Sequence, residues 1–169
     1  MEPSALGGRA TVVPVGSPRV DQVNVVVGDV AAAARFLIDL GIDMPETMAG
    51  WEAHHRAVPT ATWLHVGHDL VEPTFGIDLD SGVFAEEWGG LAPSFSGVVV
   101  NLRVDERAEV DRLHELALSL GGRSLKGPYD AFWGSRYAVV DGPGPLVVGL
   151  MSVPDPARRG APPDPAAFL

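Results

Sequence analysis

The sequence predicts an α+β fold built from two βαβββ modules in tandem. A Val-rich strand followed by an amphipathic helix occurs twice, and three shorter strand-like segments follow each helix. The length of 169 residues suits one domain, or two small halves that share a core.

The first copy starts with a Val-rich strand at 23–27. Asp29 follows at the position of a helix N-cap, where its carboxylate can accept hydrogen bonds from free backbone N–H groups. Apolar residues then recur at helical spacing: Val30, Ala33, Leu37 and Leu40. Gly41 can end this helix in a left-handed conformation. Strand-like segments follow around 50–56, 61–66 and 74–79.

The second copy has the same order. A Val-rich strand at 98–104 leads to Asp105, another predicted N-cap, and the spacing of Val104 to Arg112 matches that of Val27 to Arg35. The apolar face of its helix comprises Val110, Leu113, Ala117 and Leu120. Strand-like segments follow around 123–126, 134–140 and 146–152.

The segments around and between the modules also have distinct patterns. Ser81 is placed to cap a short helix on which Phe84 and Trp88 lie four residues apart, so both can pack on the sheet. We therefore expect one domain at 19–153, with modules at about 19–80 and 96–153. Residues 1–18 are expected to form a flexible arm and residues 154–169 a Pro-rich tail. Alternatively, one arm crosses a subunit interface.

Composition excludes several classes of function. The net charge of −10 argues against nucleic-acid binding, and the chain has neither a basic helix nor the roughly 20 consecutive apolar residues of a membrane span. The absence of cysteine excludes disulfides, thiolate nucleophiles and cysteine-ligated metals. The N-terminal sequence MEPSALGGRATVVPVGSPR does not have the pattern of a signal peptide. We therefore expect a cytoplasmic protein.

The tandem repeat and the hairpin PYDAFWGSRYAVV…VVGLMSV resemble the vicinal oxygen chelate superfamily, the glyoxalase, bleomycin-resistance and extradiol-dioxygenase group. The resemblance covers about residues 20–153, and FWGSRYAVV is similar to an actinobacterial-looking branch. It implies that each module curves into half of an open, incomplete barrel, that the two halves surround a cavity, and that the protein forms a homodimer.

Active members of that superfamily hold a divalent metal on the first and last strand of each module. Carried onto this sequence, the resemblance places the four ligand positions at Gln22, Asp78, Val99 and Gly149. Only Asp78 is a natural oxygen ligand, whereas a metal site needs about three good ligands on converging strands. We therefore expect no cofactor, with a divergent divalent-metal site as the alternative.

The histidines do not suggest another metal site. His54 and His55 are adjacent and would face opposite ways in an extended segment. His65 and His68 are three residues apart, which again places them on opposite faces of a strand, and His114 is predicted to lie at the edge of its helix's apolar face.

The hairpin aromatics suggest a pocket. If residues 132–137 form a strand, then Trp133, Ser135 and Tyr137 share one face, and Phe132, Gly134 and Arg136 the other. One face could meet a helix and the other a bound molecule, although these aromatics could instead fill a solid core. The predicted ligand-binding residues are Gln22, Trp51, Trp63, Trp133, Arg136 and Tyr137.

The sequence leaves two functions open. The first is metal-free binding of an aromatic or largely apolar small molecule, as in drug-binding members of the resembling family. The second is a lyase, isomerase or dioxygenase that uses acid–base chemistry through Asp78 with His54 or His55, or a divergent metal. In the alternative structural interpretation, Asp78 or Asp80 only caps the helix near Ser81.

Overall fold

The computed structural model describes residues 17–41, 63–66 and 76–161. In chain order the elements are β1 (Arg19–Val27), α1 (Val30–Asp39), β2 (Trp63–Val66), β3 (Gly76–Ser81), α2 (Gly82–Gly89), β4 (Gly97–Val104), α3 (Arg107–Ser119), β5 (Arg123–Asp130), β6 (Arg136–Asp141), β7 (Val147–Ser152) and a 3₁₀ helix (Pro156–Arg158). The strand predicted around 50–56 lies outside the described residues.

The strands form one mixed, unclosed sheet in the order β2-β3-β1-β4-β7-β6-β5. In each module the first strand pairs parallel with the last, as β1 with β3 and β4 with β7. The last strand then pairs antiparallel with the one before it. Antiparallel pairing of β1 with β4 joins the two modules. The predicted α+β fold with tandem modules is therefore confirmed.

Local capping explains where two of the helices begin. Asp29 Oδ1 accepts from the backbone N–H of Ala32 at 2.8 Å, and Ser81 Oγ accepts from that of Phe84 at 3.2 Å, as predicted. The prediction for Asp105 is wrong. The N-cap of α3 is Glu106, without a side-chain cap bond, and Asp105 instead pairs with Arg19 at 3.0 Å.

The two faces of the sheet pack against different partners. Helix α3 covers β5, β6 and β7, and the apolar cluster beneath it consists of Leu102, Val104, Val110, Leu113, Ala138, Val148 and Leu150. On the opposite face, Phe84 and Trp88 of α2 are each only 4% exposed and pack with Val99, Val139 and Val147, so their predicted core role is confirmed. We call this second face, which also carries Gln22, Asn24, Asp78, Asn101 and Gly149, the inner face.

His114 of α3 belongs to the interior rather than to the edge of its helix, so that prediction is wrong. It is 6% exposed, and its Nε2 lies 2.8 Å from Ser124 Oγ of β5. The hydrogen bond satisfies a ring nitrogen that burial removes from water.

The aromatic hairpin begins later than predicted. Residues 131–135 form a turn, closed by hydrogen bonds from Ala131 N to Ser135 O and from Gly134 N to Ala131 O, both at 2.9 Å. Gly134 has φ of +95°, a conformation that favours glycine. The predicted strand start at 134 and the strict alternation of faces from residue 132 are therefore wrong, and regular alternation begins at Arg136.

The first part of the predicted C-terminal tail packs against this turn. Asp155 N donates to Gly134 O at 3.1 Å, and Gly160 N donates to Phe132 O at 2.8 Å. The 3₁₀ helix lies between these two contacts, and Asp155 Oδ1 caps it by accepting from Ala157 N at 2.9 Å.

Within the described ranges, no helix combines the length and the apolar character needed to cross a bilayer.

Candidate functional site

Polar side chains are concentrated on the inner face where the two modules meet. They come from β1, β3, β4 and β6, and they form one hydrogen-bonded cluster of Gln22, Asn24, Asp78, Asp80, Asn101 and Tyr137. Buried polar groups are costly unless they are paired, and each of these six side chains makes at least one hydrogen bond within the cluster.

Asn24 is the centre of the cluster. Its Nδ2 donates to Asp80 Oδ2 at 2.6 Å and to Asp78 Oδ2 at 3.3 Å. Its Oδ1 accepts from Asn101 Nδ2 at 2.5 Å and from Gln22 Nε2 at 3.2 Å. The amide of Asn24, which is 7% exposed, therefore uses its full hydrogen-bonding capacity and links β4 of the second module to β3 of the first.

Tyr137 extends the cluster across the second module. Its hydroxyl donates to Asn101 Oδ1 at 2.6 Å, and both side chains are 2% exposed or less. Burial raises the pKa of the Tyr137 hydroxyl well above its usual range, and the nearby Tyr129, Asp80 and Asp78 raise it further. The hydroxyl therefore keeps its proton and acts as a donor.

Gly149 provides the space for this contact. It lies beside Asn101 in the β4–β7 register, and a Cβ atom built at this position would overlap Asn101 Oδ1 and the Tyr137 hydroxyl. The volume that a longer side chain would take at residue 149 is thus filled by two other polar side chains.

The four positions to which the resemblance assigns metal ligands do not fit a metal ion. Gly149 has no side chain, and Val99 is fully buried among apolar residues. Gln22 directs its Nε2 to Asp78 Oδ2 at 2.7 Å, which leaves Asp78 as the one carboxylate among the four. The described part of the chain also has no cluster of three or more His, Cys, Asp or Glu that could hold a metal.

The hairpin aromatics form a cluster of edge-to-face contacts on the inner face. Tyr137 lies 5.3 Å from Trp133, 6.1 Å from Trp88 and 6.1 Å from Tyr129, measured between ring centroids. Phe132 contacts Trp133 at 5.0 Å. Such contacts each contribute about 0.5–1.5 kcal/mol beyond area burial. Tyr137 is thus part of the core, while Trp133 is half-buried at its margin.

The structure brings together four of the residues predicted for the site. Gln22 contacts Asp78, Tyr137 reaches both through the two asparagines, and Trp133 packs on Tyr137. The alternative role of Asp80 or Asp78 as a helix cap is wrong, because Ser81 caps α2. Trp63 begins β2, whereas Trp51, His54 and His55 lie outside the described residues.

Arg136 lies apart from these residues. It points to the α3 side of the sheet, where it pairs with Asp111 at 2.7 Å and with Asp130 at 3.0 Å. Hydrogen bonds from Arg136 hold the pKa of both carboxyl groups below the usual range. The side chain therefore joins α3 to the end of β5.

Sequence reasoning missed the two asparagines. A signal was present, since Asn24 and Asn101 each stand three residues before the end of a Val-rich strand, at Val27 and Val104, and so occupy the same position in the repeat. It also missed a buried ion pair between Arg103 of β4 and Asp21 of β1, at 2.8 Å, which joins the modules on the same face.

Comparison with known proteins yields similarity at the level of fold. No protein-family model matches the chain, and no curated protein sequence matches it. A solved structure described as an NAD-dependent benzaldehyde dehydrogenase from Legionella pneumophila aligns with a TM-score of 0.51 and 16% identity, over 78% of this chain and 97% of that chain. This similarity shows a shared fold and carries no assignment of activity.

Members of the glyoxalase group are also among the structural neighbours. A glyoxalase/bleomycin resistance protein/dioxygenase superfamily member from Vibrio splendidus aligns with a TM-score of 0.48 and 15% identity, over 80% of this chain and 98% of that chain. A methylmalonyl-CoA epimerase from Streptomyces coelicolor aligns with a TM-score of 0.46 and 18% identity, over 82% and 98%.

Proposed function

We propose that this chain is a small-molecule-binding protein of the glyoxalase/bleomycin-resistance type, which holds an aromatic or largely apolar ligand without a metal ion. The observation that supports it best is the hydrogen bond between Asn101 and Tyr137 over Gly149, at 2.6 Å. Where the resembling enzymes place a carboxylate on the last strand, this chain builds a neutral, buried polar contact instead.

The inner face has the chemical character of a small-molecule site. Such sites are mostly apolar, with a few polar groups that orient the ligand. Gln22 and Asp78 are half-buried at the first-module side of the cluster, and the half-buried ring of Trp133 lies at the margin of the aromatic group. A flat ligand would place its ring against apolar surface and its polar substituent near Gln22. Antibiotics and other natural products combine these two features.

Binding and metal content can be tested together. Purified protein would be titrated with 1-methoxynaphthalene and 1-naphthol in the presence of a chelator, with tryptophan fluorescence and calorimetry as readouts. We expect saturable, equimolar binding of at least one naphthalene that zinc, manganese or nickel does not change. Elemental analysis should find no stoichiometric metal. An equimolar metal whose removal abolishes binding would contradict the proposal.

A further inference from the structure

We propose that Gln22 makes the site selective for ligands that carry a hydrogen-bond donor, such as a hydroxyl or an N–H group. This inference rests on the proposed function and adds the polarity of the ligand to it. The structure supports it because the carboxamide of Gln22 has a fixed orientation, with its nitrogen directed into the cluster.

Both hydrogens of Gln22 Nε2 are used within the cluster. The nitrogen lies 2.7 Å from Asp78 Oδ2 and 3.2 Å from Asn24 Oδ1. If the amide were reversed, its oxygen would face the carboxylate oxygen of Asp78 and the carbonyl oxygen of Asn24, both of which act as acceptors here. The reversed orientation would therefore lose two hydrogen bonds and place oxygens against each other.

Asn24 cannot reverse to accommodate such a change. Its Nδ2 donates to Asp80 Oδ2 at 2.6 Å, and Asp80 is 1% exposed, so a reversed Asn24 would direct an oxygen at a buried carboxylate. On its other side, Asn24 Oδ1 receives the N–H of Asn101. The orientation of Gln22 is thus set by a chain of partners that ends on the carboxylates of Asp78 and Asp80, which act as acceptors for these amides.

The remaining atom of the carboxamide is then an acceptor. Gln22 Oε1 accepts no hydrogen bond from the described residues, and the side chain of Gln22 is only half-buried. A ligand donor can form a hydrogen bond with this oxygen, whereas a ligand that offers only an acceptor there would displace water without replacing its hydrogen bond. The site therefore favours ligands that donate a hydrogen bond to Gln22 Oε1.

Two probes with the same ring system test this inference. 1-Naphthol carries a hydroxyl donor, and 1-methoxynaphthalene replaces the hydroxyl hydrogen with a methyl group. One hydrogen bond corresponds to about tenfold in affinity. We therefore expect the wild-type protein to bind 1-naphthol about tenfold more tightly, measured by tryptophan fluorescence and calorimetry.

The Gln22→Leu variant should bind the two probes with equal affinity, because leucine keeps the bulk of the side chain and removes its oxygen. Val98→Ala is the matched control. Val98 lies in β4 on the opposite sheet face and is 46% exposed, so this variant should keep the full preference for 1-naphthol.

The possible outcomes separate the two proposals. Equal affinity of both probes for the wild-type protein would overturn the selectivity and leave the binding function intact. Binding of neither probe would count against both proposals. A folded Gln22→Leu variant that keeps the preference would assign the acceptor to another residue.

If this variant does not fold, the wild-type comparison still decides, together with the side-chain NH₂ signals of Gln22 in ¹⁵N NMR. Those signals should move more on addition of 1-naphthol than of 1-methoxynaphthalene.

Discussion

At the scale of single residues, the lack of a side chain at Gly149 shapes the inner face. Asn101 and Tyr137 meet directly above this residue, and a Cβ atom there would overlap both. Replacing glycine by a larger residue at this position would therefore force buried side chains out of a satisfied hydrogen bond.

We expect Gly149→Ala to lower the free energy of unfolding by about 2–3 kcal/mol, as overpacking of a core usually does. Gly127→Ala in β5 is the control, because nothing lies within 4 Å of a Cβ there, and it should change stability by less than about 0.5 kcal/mol. Urea unfolding measures both variants. In the Asn101→Ala background the cost of Gly149→Ala should fall by about 1 kcal/mol or more, and full additivity would contradict the overlap.

The two tyrosines of the chain provide a second test at this scale. Burial raises the pKa of both Tyr129 and Tyr137 far above the ordinary value of about 10, with Glu87 adding to the shift at Tyr129. The folded state then binds these protons more tightly than the unfolded state, so stability should fall as pH rises above about 10.

Tyrosinate absorbance at 295 nm should therefore not increase near pH 10 while the circular dichroism spectrum remains native. We expect both tyrosines to ionise together with alkaline unfolding. In the Tyr129→Phe variant, which leaves Tyr137 as the one tyrosine, ionisation of Tyr137 should likewise occur together with alkaline unfolding. Ionisation of one tyrosine near pH 10 in the folded protein would contradict the burial of its hydroxyl.

At the scale of elements, the turn before β6 serves as a docking point for the segment after β7. A Cβ atom at Gly134 would overlap the carbonyl oxygen of Asp155, and the same turn accepts a hydrogen bond from Arg107 at 3.0 Å. Glycine at residue 134 therefore allows the backbone of this turn to approach that of residues 155–160 closely, with Phe132 and Gly134 accepting hydrogen bonds from Gly160 and Asp155.

We expect Gly134→Ala to destabilise the protein clearly more than Gly144→Ala. Both glycines have positive φ, +95° and +66°, but nothing lies within 4 Å of a Cβ at Gly144. Gly144→Ala should thus cost only the backbone strain, about 1 kcal/mol. Urea unfolding and carboxypeptidase digestion measure the two effects. Equal stability and equal digestion rates in the two variants would contradict docking of the C-terminal segment at the turn.

At the scale of the whole molecule, the described sheet is open and β5 is an edge strand. Unpaired edges are usually covered or paired. Large apolar side chains are also exposed, with Phe36 of α1 at 64% and, directly after α1 and α3, Leu40 at 66% and Leu120 at 77%. These features agree with the predicted homodimer, which, like the cytoplasmic location, remains a prediction.

Light scattering at micromolar concentration should give about twice the chain mass of 17.8 kDa. Dilution should reversibly lower the measured mass to that of one chain, because a dimer dissociates by mass action as the chain concentration falls. Added salt should favour the dimer, since each chain carries a net charge of −10 and salt screens repulsion between copies. The mass of one chain throughout this range would contradict the prediction.

The sequence by itself determined the local elements and their order. Alternation and helical spacing act over a few residues, so the strand ending at Val27, the cap at Asp29 and the helix after Ser81 were all predictable. The N-cap position was harder to predict where two acidic residues are adjacent. Asp105 was predicted as the N-cap of α3, but the N-cap is Glu106, and Asp105 instead pairs with the distant Arg19. The positions of Gln22 and Asp78 came from the resemblance alone.

Only the tertiary structure decided what the inner face contains. Strand register places Asn101 beside Gly149, and it brings Tyr137 within 2.6 Å of an asparagine that is 36 residues earlier in the chain. No local pattern encodes that contact, because register is set by the pairing of whole strands and not by the residues within one of them. The resemblance indicated four ligand positions with one natural metal ligand among them, and the structure added the orientation of the Gln22 amide on which the proposed selectivity depends.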